Sequence, residues 1–161
     1  MTADMKAFQA HEHAGCVARG VMAAEELCTA RSVRLTTARR RVLEILLAEH
    51  KALGAYEVLA KLSEHGESAH PPAAYRALDF LVEHGLAHRV ERLNAFIACC
   101  EPGDGHRPVF LICRDCRSVA EAMDARDDSA LQGTAERVGF RIEQSSVELE
   151  GLCPSCLPES A

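Results

Sequence analysis

The sequence lacks the long apolar segments that would place the protein in a membrane or direct its export. No stretch approaches the roughly 20 uninterrupted apolar residues of a membrane-spanning helix. Residues 1–13 carry acids and histidines where a signal peptide needs an apolar run. We therefore expect a cytoplasmic protein with no membrane partner.

An overall excess of positive charge is also missing. The 18 Lys and Arg residues are outnumbered by 24 Asp and Glu residues, and the net charge of −6 argues against general attraction to nucleic acid. Nothing in the sequence resembles a nucleophile with its base, so an enzyme acting on a small organic substrate is the least favoured class. The 48% hydrophobic content of the 161 residues suffices for a core, which excludes disorder for most of the chain.

The charges that are present are unevenly distributed. Residues 31–92 hold 10 basic and 8 acidic side chains, whereas the rest of the chain holds 8 basic and 16 acidic ones. Five arginines lie close together without an intervening acid: Arg31, Arg34, Arg39, Arg40 and Arg41. A cluster of this kind suits contact with phosphate, and a solvated helix face is the alternative.

Eight cysteines are present in a chain that we expect in a reducing compartment, which favours metal binding over disulfides. Four of them form two Cys-x-x-Cys motifs, Cys113–Cys116 and Cys153–Cys156, with 36 residues between the motifs. Two such turns brought together supply the four thiolates of a closed tetrahedral zinc site. A redox-active cysteine pair is the alternative for either motif alone, but it leaves the other motif unexplained. We predict a structural zinc ion bound by all four thiolates.

The apolar pattern between residues 36 and 100 predicts three helices and a hairpin. The first helix is predicted over 36–49, with Thr36 or Thr37 as its cap. The second is predicted over 55–64, and the third from Pro71 or Pro72 to Gly85. The two strands of the hairpin are predicted over 86–91 and 95–100. This order is typical of a winged helix-turn-helix. In that geometry the third helix enters the major groove and the hairpin packs alongside the DNA backbone.

A linker rich in glycine and proline separates this unit from a second one. The second unit is predicted to have strands over 109–112 and 118–122, a helix over 127–138 and a long strand over 140–149. The fold class is therefore α+β, an N-terminal winged helix-turn-helix followed by a small β-β-α-β dimerisation domain that zinc stabilises. The predicted segments are a flexible N-terminal tail over 1–18, a DNA-binding domain over 19–100, a hinge linker over 101–107 and the dimerisation domain over 108–161.

With these motifs the chain resembles the ferric uptake regulator family, and its zinc uptake branch most closely. The resemblance covers about residues 25–156 and is carried by the segments 33–36, 54–56, 72–85 and 110–116 and by the terminal Cys-x-x-Cys. It implies a homodimeric repressor that binds operator DNA when zinc is replete and shuts off zinc-import genes. One departure is Leu35-Thr-Thr-Ala-Arg39, where such proteins usually have Leu-Thr-Pro-Gln-Arg.

A second, regulatory zinc site is predicted at the hinge between the two domains. Its candidate ligands are His88 and Cys99 on the hairpin, His106 in the linker and Glu121 after the first Cys-x-x-Cys. Two imidazoles, a thiolate and a carboxylate make a tetrahedral zinc set, and each position matches the family's regulatory site by its spacing. Cys100 competes with Cys99, but consecutive strand side chains point to opposite faces, and the family spacing selects Cys99. We therefore predict two zinc ions per subunit.

The resemblance assigns DNA contacts to Tyr56 and Arg76, and Arg76 suits a bidentate contact with guanine. Tyr75 is a further candidate by its position on the third helix, with buried packing as the alternative. Arg39 and Arg40 join the set from the basic cluster, which lies at the start of its helix.

Two alternative functions stay open. A sibling sensor of iron, manganese or peroxide typically carries a His-His-x-His run before the first Cys-x-x-Cys, and here Gly105-His-Arg-Pro-Val-Phe110 stands in that place. A zinc-buffering or thiol-redox module without DNA binding leaves the winged-helix pattern and the arginine cluster unexplained. The sequence also leaves open whether His11, His13 and Cys16 form a third metal site.

Overall fold

The computed structural model describes residue 8 and residues 14–49, 51–66, 70–103, 107–123 and 129–158. Within these residues, four helices precede a two-stranded hairpin, and a three-stranded sheet with one helix follows. The helices are α1 (Ala14–Ala30), α2 (Thr37–Leu47), α3 (Ala55–Glu64), α4 (Pro71–Glu83) and α5 (Ser129–Arg137). The strands are β1 (Ala87–Val90), β2 (Ala95–Ala98), β3 (Pro108–Cys113), β4 (Val119–Met123) and β5 (Val147–Gly151). The predicted α+β class is confirmed.

Helix α1 begins at Ala14, within the segment 1–18 that the sequence analysis assigned to a flexible tail. It buries one side chain per turn, at Val21, Ala24 and Cys28. A Cβ added to Gly20 would lie 2.6 Å from Leu47 Cδ2, so the glycine permits the close crossing of α1 over the end of α2. The helix start was missed because apolar residues lie on several faces of α1 and not in one stripe, which weakens the periodic signal, and packing against α2 stabilises the helix instead. The remainder of the predicted tail, apart from residue 8, lies outside the described residues.

The next three helices lie close to their predicted positions. Thr36 caps α2, with its side chain accepting a hydrogen bond from the N–H of Arg39 at 3.4 Å. The N–H of Gly54 donates to the Glu57 carboxylate at 2.7 Å at the start of α3. Helix α4 starts at two prolines, and Gly85 follows its end with a φ of 68°. Their apolar faces meet in one core, which includes the fully buried Leu43, Leu46, Val58, Leu78 and Leu81.

The hairpin, which we call the wing, extends from this core. Strands β1 and β2 pair antiparallel, with His88 opposite Ile97. A 3-10 turn over Glu91–Leu93 joins them and ends at Asn94, whose left-handed backbone (φ 46°, ψ 46°) suits asparagine. Leu53 exchanges two backbone hydrogen bonds of 2.8 Å with Phe96, which fixes the wing against the segment before α3.

In the second unit, β3 lies at the centre of the sheet, antiparallel to β4 and parallel to β5. The long strand predicted over 140–149 is wrong in its first part, because strand pairing begins only at Val147. The apolar alternation of Phe140 and Ile142 gives way to polar residues over 143–146, and a φ of 70° at Gly139 turns the chain after α5. The strand therefore forms only where Leu149 aligns with Leu111 of β3.

A second apolar cluster joins the wing to the sheet. Its buried members are Val90, Ile97, Phe110, Ile112 and Val119. Because these residues come from β1, β2, β3 and β4, the two halves of the chain share this small core. No helix within the described ranges is long and apolar enough to span a membrane.

Candidate metal centres and nucleic-acid surface

The two Cys-x-x-Cys turns meet at one end of the three-stranded sheet. Cys113 ends β3, and the chain leaves β5 two residues before Cys153, so the parallel pairing of these strands brings the two motifs together. The ligand atoms of Cys113, Cys116, Cys153 and Cys156 all lie within 4.8 Å of one another. The Cys116 and Cys153 sulfurs are 3.7 Å apart, which agrees with the roughly 3.8 Å that zinc–sulfur bonds of about 2.3 Å give in a tetrahedron.

The backbone around these sulfurs favours the thiolate form of Cys113. N–H groups of Cys116 and Cys153 point at its sulfur and lower the pKa of Cys113 to about 6, and the Cys153 N–H lies 3.4 Å away. Ser118 Oγ lies 3.2 Å from Cys116 Sγ and lowers the pKa of Cys116. The Cys153 thiol raises the pKa of Cys156 to about 12. The sequence analysis missed Ser118, although its position two residues after a cysteine ligand is a usable signal.

A second ligand set lies where the wing meets the sheet. Ligand atoms of His88, Cys99 and Glu121 lie within 4.8 Å of one another, and His88 Nε2 is 3.0 Å from Glu121 Oε1. His88 comes from β1, Cys99 follows β2, and Glu121 comes from β4, so both halves of the chain contribute. The fourth predicted ligand, His106, lies outside the described residues.

Glu121 is 5% exposed, which is unusual for a carboxylate and requires polar partners. One oxygen faces His88, and the other accepts a hydrogen bond of 2.9 Å from the backbone N–H of Cys100. Burial and the adjacent Glu121 carboxylate raise the pKa of the Cys99 thiol. The site thus combines a soft and a hard anionic ligand with an imidazole, a set suited to zinc.

The remaining cysteines differ in their surroundings. Cys99 is buried and Cys100 is exposed, as expected for consecutive residues at a strand end. Cys28 belongs to the helical core, while Cys16 is half-buried. The third metal site that the sequence left open involves His11 and His13, which lie outside the described residues.

Three predicted DNA-contacting side chains are on the surface of α3 and α4. Tyr56 is 76% exposed at the start of α3, and Tyr75 is 41% exposed on α4, so Tyr75 is not a packed core residue. Arg76 is exposed next to it. A tyrosine and an arginine in the N-terminal half of a winged-helix recognition helix can reach base edges or phosphates.

The arginine cluster is less open than the sequence indicates. Arg40 pairs with Glu25 of α1 and with Glu44, 3.2 Å away, and Arg41 contacts Glu44 at 2.8 Å. Arg39 donates to the carbonyl of Arg34 at 2.7 Å, and its guanidinium lies 3.6 Å from the centre of the Phe80 ring. The acids therefore neutralise part of the cluster, because folding brings Glu25 of α1 next to α2.

A winged helix joined to a sheet domain with a four-thiol cluster defines a class of DNA-binding proteins that contain metal centres. The model of the ferric uptake regulator family matches residues 30–150, and the chain belongs to this family. The resemblance seen in the sequence is thereby confirmed.

Similarity extends over most of the chain. The zinc uptake regulation protein of Escherichia coli K12 is 35% identical over 139 residues, which cover 86% of this chain and 81% of the relative. A solved zinc uptake regulator in complex with zinc and DNA has a TM-score of 0.81 and 34% identity, covering 87% of this chain and 94% of that one.

One relative is known in two states. Holo XcZur has a TM-score of 0.78 at 39% identity and covers 84% of this chain and 95% of its own. Apo XcZur has a TM-score of only 0.51 at 35% identity and covers 88% of this chain and 98% of its own. The arrangement of this chain is therefore closer to the holo form.

Proposed function

We propose that the chain is a zinc-responsive transcriptional repressor, a cytoplasmic homodimer that binds operator DNA when zinc-loaded and represses zinc-uptake genes. The observation that carries the proposal is the convergence of His88, Cys99 and Glu121 from both halves of the chain. Family membership supports a regulator rather than an enzyme. In this proposal a winged-helix domain that ends near residue 100 binds DNA. A linker over 101–107 connects it to a dimerisation domain over 108–161.

Each subunit takes two zinc ions in this proposal. The ion bound by the four Cys-x-x-Cys thiolates is structural, because four protein ligands leave no open position. The regulatory ion is bound by His88, Cys99 and Glu121 together with His106. A thiolate in this set favours zinc over the harder iron and manganese ions, and the relative solved with zinc and DNA supports the same metal.

Zinc acts by holding the winged helix against the sheet. An ion that binds ligands from both halves favours the one relative orientation in which those ligands meet, and DNA that needs this orientation raises the zinc affinity by the same factor. The greater likeness to holo than to apo XcZur supports this reading, since the ligands converge in the holo-like arrangement.

In that orientation α4 is presented to the major groove. Arg76 and Tyr75 on α4 and Tyr56 on α3 are the exposed groups that contact bases or the backbone. Arg39 and Arg40 contribute positive charge near phosphates, moderated in Arg40 by its pairs with Glu25 and Glu44.

The test is fluorescence anisotropy of DNA from promoters of zinc-import genes, titrated with protein at buffered free zinc. Wild-type protein should bind only with zinc, and Cys99→Ser should lose this response while it keeps one ion per subunit. Cys100→Ser tests the competing cysteine: its thiol contacts Glu121 but does not belong to the set of His88, Cys99 and Glu121, so zinc-dependent binding should persist in this variant. Binding that ignores zinc, or that follows ferrous iron or manganese instead, contradicts the proposal.

A further inference from the structure

The tip of the wing is bound by two carboxylates of β5. Glu148 accepts hydrogen bonds from the backbone N–H of Glu91 at 2.6 Å and from that of Arg92 at 2.9 Å. The Glu150 carboxylate accepts two hydrogen bonds from the Arg92 side chain, one from Nε at 2.8 Å and one from Nη2 at 3.0 Å. We call these four hydrogen bonds between the two halves of the chain the wing latch.

The geometry of β5 explains why two glutamates serve one turn. Residues two apart on a strand share a face, so Glu148 and Glu150 project together toward the wing. The Arg92 pair is bidentate, the geometry in which arginine binds carboxylate most specifically. Arg92 holds the pKa of Glu150 below its ordinary value, so both partners are charged at neutral pH.

The latch and the regulatory metal site lie at opposite ends of the same hairpin. His88 and Cys99 lie toward the base of the wing and meet Glu121 of β4, whereas the latch joins the tip to β5. The three residues from His88 to Glu91 span roughly 10 Å of strand. With one attachment the wing could still rotate about that point. Two attachments, on either side of the shared apolar cluster, determine the orientation of the wing relative to the sheet.

We propose that the wing latch is a second hinge contact, which holds the winged helix in its DNA-competent orientation and so raises the affinity of the regulatory site for zinc. This inference rests on the proposed function. Zinc and the latch favour the same orientation, so by linkage the loss of one weakens the other.

A consequence concerns the DNA backbone. The sequence analysis expected the hairpin to pack alongside it, but the N–H groups of Glu91 and Arg92 and the Arg92 guanidinium are engaged by carboxylates. Two glutamates beside the turn also repel phosphate. Arg92 is therefore a positioning residue in this orientation and not a phosphate contact.

The experiment measures zinc affinity by competition with a chromophoric chelator, on protein that already holds its structural ion. Arg92→Glu should weaken the regulatory zinc about fivefold, the low end of typical coupling, because the latch is exposed to solvent. The double variant Arg92→Glu, Glu150→Arg should restore most of the affinity. Arg89→Glu is the matched control, because the Arg89 side chain contacts Glu91 and Asn94, which lie within the wing itself.

An unchanged zinc affinity in Arg92→Glu, or an affinity that the charge swap fails to restore, overturns the latch. Arg92→Ala gives a second readout with less perturbation. If it weakens operator binding but leaves zinc affinity unchanged, Arg92 contacts DNA and the inference is wrong. Failure of the proposed function is distinguishable, since it would appear in the wild-type protein as operator binding that does not depend on zinc.

Discussion

The two candidate metal centres are built in contrasting ways. The four-cysteine centre draws all its ligands from one domain, and backbone N–H groups already lower the pKa of Cys113. The regulatory centre draws on both halves of the chain, and its thiol, Cys99, has a raised pKa. We therefore expect the first centre to hold its ion permanently, and the second to form only when the hinge is closed.

The largest expected effect comes from breaking the structural centre. Cys113→Ser should lose the structural ion and unfold the second domain, because structural zinc contributes on the order of 10 kcal/mol to small zinc-bound folds. Metal content and thermal unfolding by circular dichroism check this outcome. Cys100→Ser is the control, and a Cys113→Ser protein that stays folded would show that the centre is dispensable.

Breaking the regulatory centre should spare the fold. Glu121→Ala removes a buried ligand and is expected to weaken the second zinc ion by at least about tenfold, the scale seen even for groups that only orient metal ligands. The structural ion should remain at one per subunit. Chelator competition and metal analysis report the two ions separately. A variant that loses both zinc ions would show that the two centres are not separate.

Breaking the DNA surface should leave both metal centres intact. Arg76→Ala is expected to lower operator affinity by about 1–3 kcal/mol, the usual cost of losing a bidentate contact with guanine, while zinc content stays at the wild-type level. Anisotropy and metal analysis on the same preparation measure both quantities. Arg137→Ala on α5 is a control of equal charge, and an unaltered operator affinity in Arg76→Ala would refute the assignment.

The smallest effect is a proton released at the regulatory centre. Burial and the Glu121 carboxylate raise the pKa of the Cys99 thiol, so Cys99 is protonated before zinc binds and must lose its proton to bind the ion. Regulatory zinc affinity should therefore rise with pH across the neutral range. On protein that keeps its structural ion, a pH indicator in weakly buffered solution counts this proton, and zinc uptake that releases no proton would contradict Cys99 as a ligand.

Much of the fold follows from local patterns. Helix α3 occupies its predicted bounds, 55–64, because its start and end signals, Gly54 and the loss of the apolar stripe after Leu62, are local. The start of α1 and the irregular chain before Val147 were not predictable, because packing of Gly20 on Leu47 and pairing with β3 decide them. These are contacts between residues distant in sequence, which periodicity does not report.

The sites divide in the same way. The sequence by itself determined the ligand types and the Cys-x-x-Cys turns, since a two-residue spacing brings thiols together wherever the turn lies. Only the tertiary structure decided that Glu25 neutralises Arg40, that the Cys100 N–H holds Glu121, and that Glu148 and Glu150 bind the wing turn. Each of these contacts joins separate elements, and their positions depend on how the two halves of the chain pack together.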